Sequence, residues 1–146
     1  MIIIFFSRHE NASFGKNYHR VILLEILLIY ALGSILYGTV ELLWRGWTHW
    51  TMLLCGGLCF TLMYLVSMST LPPVKKWLLC ACLITTVEFL TGCLVNLVLR
   101  WHVWDYSELR GNLLGQICPQ FTLIWFLLSI PGTALCGLLS RVLNNQ

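Results

Sequence analysis

Charge is what this sequence has least of. Asp, Glu, Lys and Arg make up 10% of its 146 residues, against about 25% in an ordinary soluble domain. The nine Lys and Arg are scattered, and the net charge is only +3. That excludes the clustered basic face a nucleic-acid partner requires. Nucleotide motifs are missing too. No Walker A pattern occurs, so the chain cannot itself hydrolyse ATP in the P-loop manner. No Ser–His–Asp arrangement or glycine-rich nucleotide loop is present. The apolar run Ile2–Phe6 is too short for a signal-peptide core and precedes its charges instead of following them. Seven cysteines are present, but most lie in apolar runs, where Cys acts as a small hydrophobe. Cys80-Ala81-Cys82 lacks zinc-site spacing, since two such side chains point about 200° apart on a helix. No disulfide framework, metal site or cofactor is assigned.

What the chain does have is apolar residues, 58% of the total. A chain this short cannot hide that much apolar surface from water, and a bilayer is its natural solvent. Four apolar segments stand out, at about residues 21–44, 50–68, 77–99 and 121–142. Each is long enough to cross ~30 Å of hydrocarbon as a helix rising 1.5 Å per residue. Strands are excluded, because open strands in lipid leave backbone groups unpaired and no alternating pattern is visible. The expected fold is an all-α membrane protein of four transmembrane helices. It comprises a polar leader at residues 1–20 and one four-helix domain at 21–146.

The joints differ in length. Residues 45–49 and 69–76 make short links, the second stopped by Pro72-Pro73. Residues 100–120 form a connection well beyond the usual ~2–8 residues. Its aromatic and apolar content argues for order, with a short helix or re-entrant turn expected after Ser107. Basic residues divide six against three across the two sides. The positive-inside bias then puts both termini in the cytoplasm and the long loop outside. Five of the seven tryptophans, Trp44, Trp47, Trp50, Trp101 and Trp104, fall on the loop side, as an interfacial belt would.

Polar residues inside the spans are conspicuous. Glu88 is twelfth in the stretch Trp77–Arg100, near the bilayer midplane. A charged side chain there costs at least ~2.5–3.5 kcal/mol. It must be protonated, paired, or turned toward protein or water. Thr85, Glu88, Gly92 and Asn96 share one helix face. The first span carries a matching stripe, Gly33, Tyr37, Glu41 and Arg45, whose last two members suit an ion pair. Asn96 lies eight residues beyond Glu88, or ~12 Å. Arg45 should therefore meet Glu41, Asn96 or Asp105 before Glu88. Glu25 sits close enough to a span end to reach the interface. Gly56-Gly57 should permit close helix approach, and Pro131 should kink or loosen the fourth span. His49, His102 and Asp105, on separate loops, are weak candidates for a metal.

Several motifs recur together: Glu41-Leu-Leu-Trp-Arg45-Gly46, Gly56-Gly57, Glu88-Phe-Leu-Thr-Gly92 with Asn96, Trp104-Asp105-Tyr106-Ser107, and Asn112-Leu-Leu-Gly115-Gln116-Ile-Cys118. In this order and spacing they resemble the putative ABC-transporter type IV, or permease, family of small bacterial membrane proteins. The resemblance covers about residues 22–130. It implies a multi-pass protein of the bacterial cytoplasmic membrane with a transport role, and no catalytic residues. Arg110-Gly111 departs from the pattern, where an apolar or Pro-Phe pair is expected, so loop geometry is not carried over.

The candidate ligand or structural polar site comprises Glu41, Arg45, Glu88, Asn96, Trp104, Asp105, Tyr106, Ser107, Asn112, Gln116 and Cys118. Asp105 could stabilise a helix N-terminus by accepting backbone N–H groups, or pair with Arg45 or Arg100. The leading function is a permease or transport-accessory protein, with substrate unassigned. The bilayer surrounds it, a homo-oligomer or separate nucleotide-binding subunit completes it, and nucleic acid is no partner. Alternatives are a membrane enzyme acting on a lipid-like substrate and a structural or regulatory module.

Overall fold

Prolines set two of the four helix starts. In the structure, a computed structural model that describes the backbone of residues 2–144 and the side chains of residues 20–143, α1 is Ile2–Arg45, α2 Trp50–Ser67, α3 Pro73–Gly92 and α4 Pro119–Asn144. Pro73 and Pro119 open α3 and α4. The first helical position needs no N–H partner, and a fixed φ suits it. Both helices therefore begin slightly before the apolar runs that announce them. The backbone of α1 also extends back through the stretch assigned as a leader. The leader's side chains up to residue 19 lie outside the described residues.

All four helices are long and apolar enough to cross a membrane, at 20–45, 50–67, 73–98 and 119–143 among the described residues. Their outer faces agree with that reading. Leu43, Val98, Leu90, Leu123 and Leu138 are each more than half exposed, a surface water would penalise and hydrocarbon would not.

α1 and α2 pack closest. A Cβ on Gly56 would lie 2.3 Å from the Tyr37 Cβ, and one on Gly57 would lie 2.5 Å from the Ser34 Oγ. Only hydrogen fits there, so the two helix backbones meet. The Tyr30 hydroxyl crosses the same seam to the Leu54 carbonyl at 3.0 Å. α4 runs unbroken through Pro131. The Thr133 hydroxyl bonds the Ser129 carbonyl at 2.7 Å and accepts the Trp77 indole N–H at 3.1 Å, which ties that turn to α3.

α3 does not stop at Gly92 but widens into a π-helical segment, Cys93–Val98. The Leu99 N–H bonds the Leu94 carbonyl, five residues back. The extra residue per turn rotates the end of the helix and is a feature often found at functional sites. The chain then enters the cap, residues 99–118. No helix forms after Ser107. Two consecutive turns lead into a tight hairpin, with Leu113 bridged to Ile117. Leu114 and Gly115 at its tip have φ of 53° and 69°, the two left-handed residues of a type I′ turn.

Buried side chains gather in two groups. Ile29, Met63, Tyr64, Cys80, Ile84 and Cys136 fill the end far from the cap. Met52, Val95, Val103 and Trp104 fill the cap end.

Candidate functional site

The first station of the site is built by helix spacing. Glu41 and Arg45 are one turn apart at the cap end of α1, and Arg45 Nη1 meets Glu41 Oε1 at 2.9 Å. Glu41 is buried and its other oxygen accepts the Thr48 hydroxyl at 2.6 Å. The second guanidinium nitrogen reaches the Val103 carbonyl of the cap at 2.6 Å. The same guanidinium lies over the Trp47 ring, 4.3 Å from its centroid. Arg45 is thus fully engaged, and with Glu41 it forms the one ion pair among the described residues.

The second station belongs to the π-helical segment. Asn96 is buried there, and its Oδ1 accepts the Val103 N–H at 2.7 Å. Arg45 and Asn96 do not touch directly. They hold the carbonyl and the N–H of one cap residue between them. The Asn96 amide donates to Gln116 Oε1 at 2.8 Å, and the Trp104 indole donates to the Gln116 carbonyl at 3.0 Å. Gly92 makes this layer possible. A Cβ there would lie 2.6 Å from Gln116 Oε1 and 2.9 Å from Trp104. Trp104 therefore leaves the expected interfacial belt and enters the core at 6% exposure. Trp44, Trp47, Trp50 and Trp101 stay exposed.

The third station is Glu88, at 4% exposure. The Tyr106 hydroxyl of the cap donates to Oε1 at 3.1 Å, and the Trp125 indole of α4 donates to Oε2 at 2.8 Å. The cap dips far enough to reach it. Tyr106 is held in place by stacking on Phe121, with ring centroids 4.5 Å apart. Burial, with Glu88 alongside, pushes the Tyr106 phenol up, so it remains a neutral donor. Tyr37 completes the surroundings, its ring 6.1 Å from Trp125. No cationic side chain touches Glu88 among the described residues.

Other expected members serve the cap itself. Asp105 pairs with neither Arg45 nor Arg100. It is exposed, and its carboxylate accepts the Ser107 backbone N–H at 2.8 Å. The Ser107 N–H and hydroxyl hold its carboxyl below the usual range. The Asn112 amide donates to the carbonyls of Ser107 and Leu109, at 3.0 and 2.8 Å, and its oxygen accepts the Gly115 N–H at 2.9 Å. Asn112 is thus the internal brace of the cap. Cys118 is buried at the base of the hairpin, away from these bonds. His49 accepts the Thr51 N–H as the N-cap of α2 and lies against Trp50 and Trp101.

Sequence reasoning passed over three contributors. Trp125 carried a usable signal, since an indole N–H deep in an apolar helix needs an acceptor. Thr48 and the Val103 backbone carried none, because their roles depend on where the cap returns. Glu25, close to a span end, accepts the hydroxyl of the fully buried Tyr64 from α2, which ties α1 to α2 there.

Comparison with curated proteins and with solved structures gives no significant match. A family model does match, over residues 26–139, and it spans the four apolar helices, all three stations and the cap. The chain belongs to the family described as Putative ABC-transporter type IV.

Proposed function

We propose that this chain is a small permease or transport-accessory subunit whose ligand-handling group is Glu88, beneath the cap. Membership of the transporter family supports the transport role. One observation carries the site assignment. Glu88 is buried at mid-span with only neutral donors on its two oxygens, while Arg45, the cation at the cap end of α1, is committed to Glu41 and Val103. Acids inside membranes without a paired cation mark ion and substrate pathways more often than they serve packing alone. The cap supplies one of the two donors, so moving it exposes and releases one carboxylate oxygen.

The remaining candidates act as support in this reading. Glu41, Arg45, Asn96, Trp104 and Gln116 seat the cap, and Asp105, Ser107 and Asn112 keep its shape. No P-loop lies in the sequence, so any ATP-driven step belongs to a separate nucleotide-binding subunit. Both termini face the cytoplasm of a bacterial membrane, and copies of the chain assemble around the site. The enzymatic alternative would use Glu88 or Asp105 as its acid/base group, with Cys118 the poorer choice of nucleophile, since no base is bonded to its sulfur among the described residues.

The test is a ligand screen by thermal shift in detergent, run on wild type and Glu88→Gln. Ligands that stabilise the wild type should lose their effect in the variant. Equal shifts in both proteins would sink the assignment of Glu88.

A further inference from the structure

A groove of about 650 Å³ runs between α3 and α4 beneath the cap, separate from Glu88. Its volume falls within the ~300–1,000 Å³ of small-molecule sites. Leu78 and Cys82 of α3, Leu113 and Ile117 of the cap, and Leu123 and Phe126 of α4 line it. Thr122 is its one hydroxyl-bearing side chain, and that hydroxyl is turned to Thr85 and to the Cys118 carbonyl. Such walls offer nothing to a polar ligand. The α4 wall runs from Pro119 to Phe126, ~10 Å along the helix axis, so the groove lies along the span. Cys82 and Leu123 in its walls are exposed on helices apolar enough to stand in hydrocarbon.

Its rim at the cap is different. Gly111 and Pro119 meet there, with a Cβ on Gly111 falling 3.2 Å from Pro119. The Gln120 side-chain amide donates to the Arg110 carbonyl at 3.2 Å, which fixes Arg110 beside the first turn of α4. The Arg110 side chain is exposed and has no carboxylate partner among the described residues. The positive end of a helix dipole stands next to it. Asp105 and Glu108, the acids of the cap, have no such bond to the rim. An apolar groove along the span thus ends at Gly111 and Pro119, next in sequence to Arg110, whose exposed side chain has no carboxylate partner among the described residues.

We infer that this groove binds one acyl chain of an anionic phospholipid, with Arg110 taking the phosphate. Arginine suits that headgroup because its planar fork donates two hydrogen bonds to phosphate oxygens. The site needs neither opening of the cap nor Glu88.

Native mass spectrometry of the full chain, released from bilayers of mixed phosphatidylglycerol and phosphatidylcholine, tests this. Both lipids offer Arg110 a phosphate, but only phosphatidylcholine brings a quaternary ammonium that the guanidinium and the α4 N-terminus repel, so wild type should retain phosphatidylglycerol over phosphatidylcholine by roughly tenfold. Arg110→Gln should lose that preference, and Arg141→Gln, at the far end of α4, should keep it. Cys82→Trp, which fills the groove, should retain neither lipid. In wild type, a membrane-permeant maleimide should label Cys82 more slowly as phosphatidylglycerol is added. Equal retention of the two lipids, or a preference that survives Arg110→Gln, overturns the inference. So does a dimer that carries no lipid and protects Cys82 whatever the bilayer composition, since a second copy would then fill the groove.

Discussion

Glu41 and Glu88 are the same residue type, both buried and both bonded through two oxygens, yet their surroundings divide them. Glu41 has a guanidinium one turn away and a hydroxyl from the following loop. Glu88 has a phenol and an indole. The first carboxylate is neutralised where it stands, so its environment reads as structure. The second has no countercharge, and its partners come from two elements, one of them the cap. A buried acid becomes available for chemistry when its charge is left open, and the difference lies in the neighbours, not in burial. The pair also shows how the cap is seated. Arg45 and Asn96 grip the two sides of one residue, Val103, near its start, and Gln116 is bound near its end.

Four substitutions break or sharpen this contrast. Glu41→Leu should have the largest effect. It leaves a guanidinium and a hydroxyl without their acceptor, and breaking a buried pair costs about 3–5 kcal/mol. Unfolding in mixed detergent should report that loss, together with a freed cap. Gly92→Ala comes next, at about 1–3 kcal/mol, because the added methyl overlaps Gln116 and Trp104. Its signature is a shift in Trp104 fluorescence while α1–α2 packing is unchanged. Glu88→Gln should change stability by no more than about 1 kcal/mol. One bond is lost, but a buried acid is removed. Ligand response should nevertheless disappear. If Glu88→Gln proves as destabilising as Glu41→Leu, the contrast collapses and both acids are structural.

Asp105 gives the smallest effect, seen in pH dependence. Its carboxyl is held below the ordinary range in the folded cap. Its contribution is therefore present above the unfolded value of about 3.9 and is lost as pH falls through the lower folded value. Between pH 5 and 8, Asp105→Asn should leave cap stability flat. Hydrogen exchange of the Ser107 amide should accelerate in the variant across that range, and the difference should shrink as pH falls through the lowered value of Asp105. A pH-dependent cap in that range would need another titrating group.

Much of the site was legible in the sequence, for one physical reason. A polar side chain in a hydrocarbon span must face protein, so Glu41, Arg45, Glu88 and Asn96 announced themselves by where they sat. The helical period then put each set on one face. Partner choice was less legible. Of the partners expected for Asp105, backbone N–H groups at a helix N-terminus or the guanidinium of Arg45 or Arg100, the structure gives a backbone N–H, but in a turn, from Ser107 two residues away. A short-range turn satisfies a carboxylate at little entropic cost, whereas reaching an arginine on another element does not. Trp104 was expected at the interface and is buried, since only the assembled structure shows the recess that Gly92 leaves.

By itself, then, the sequence determined that four apolar helices cross a membrane, which residues share a face, and that an acid stands at mid-span. Hydropathy and helical period are local properties of a chain, and they can be read without knowing its path. Tertiary structure alone decided that the cap returns far enough for Tyr106 to meet Glu88, that Trp125 completes the pair, and that the second nitrogen of Arg45 is spent on Val103. Those contacts join residues from different elements. They exist only because α3 widens into its π-helical end and the hairpin at Leu114-Gly115 turns the chain back onto it.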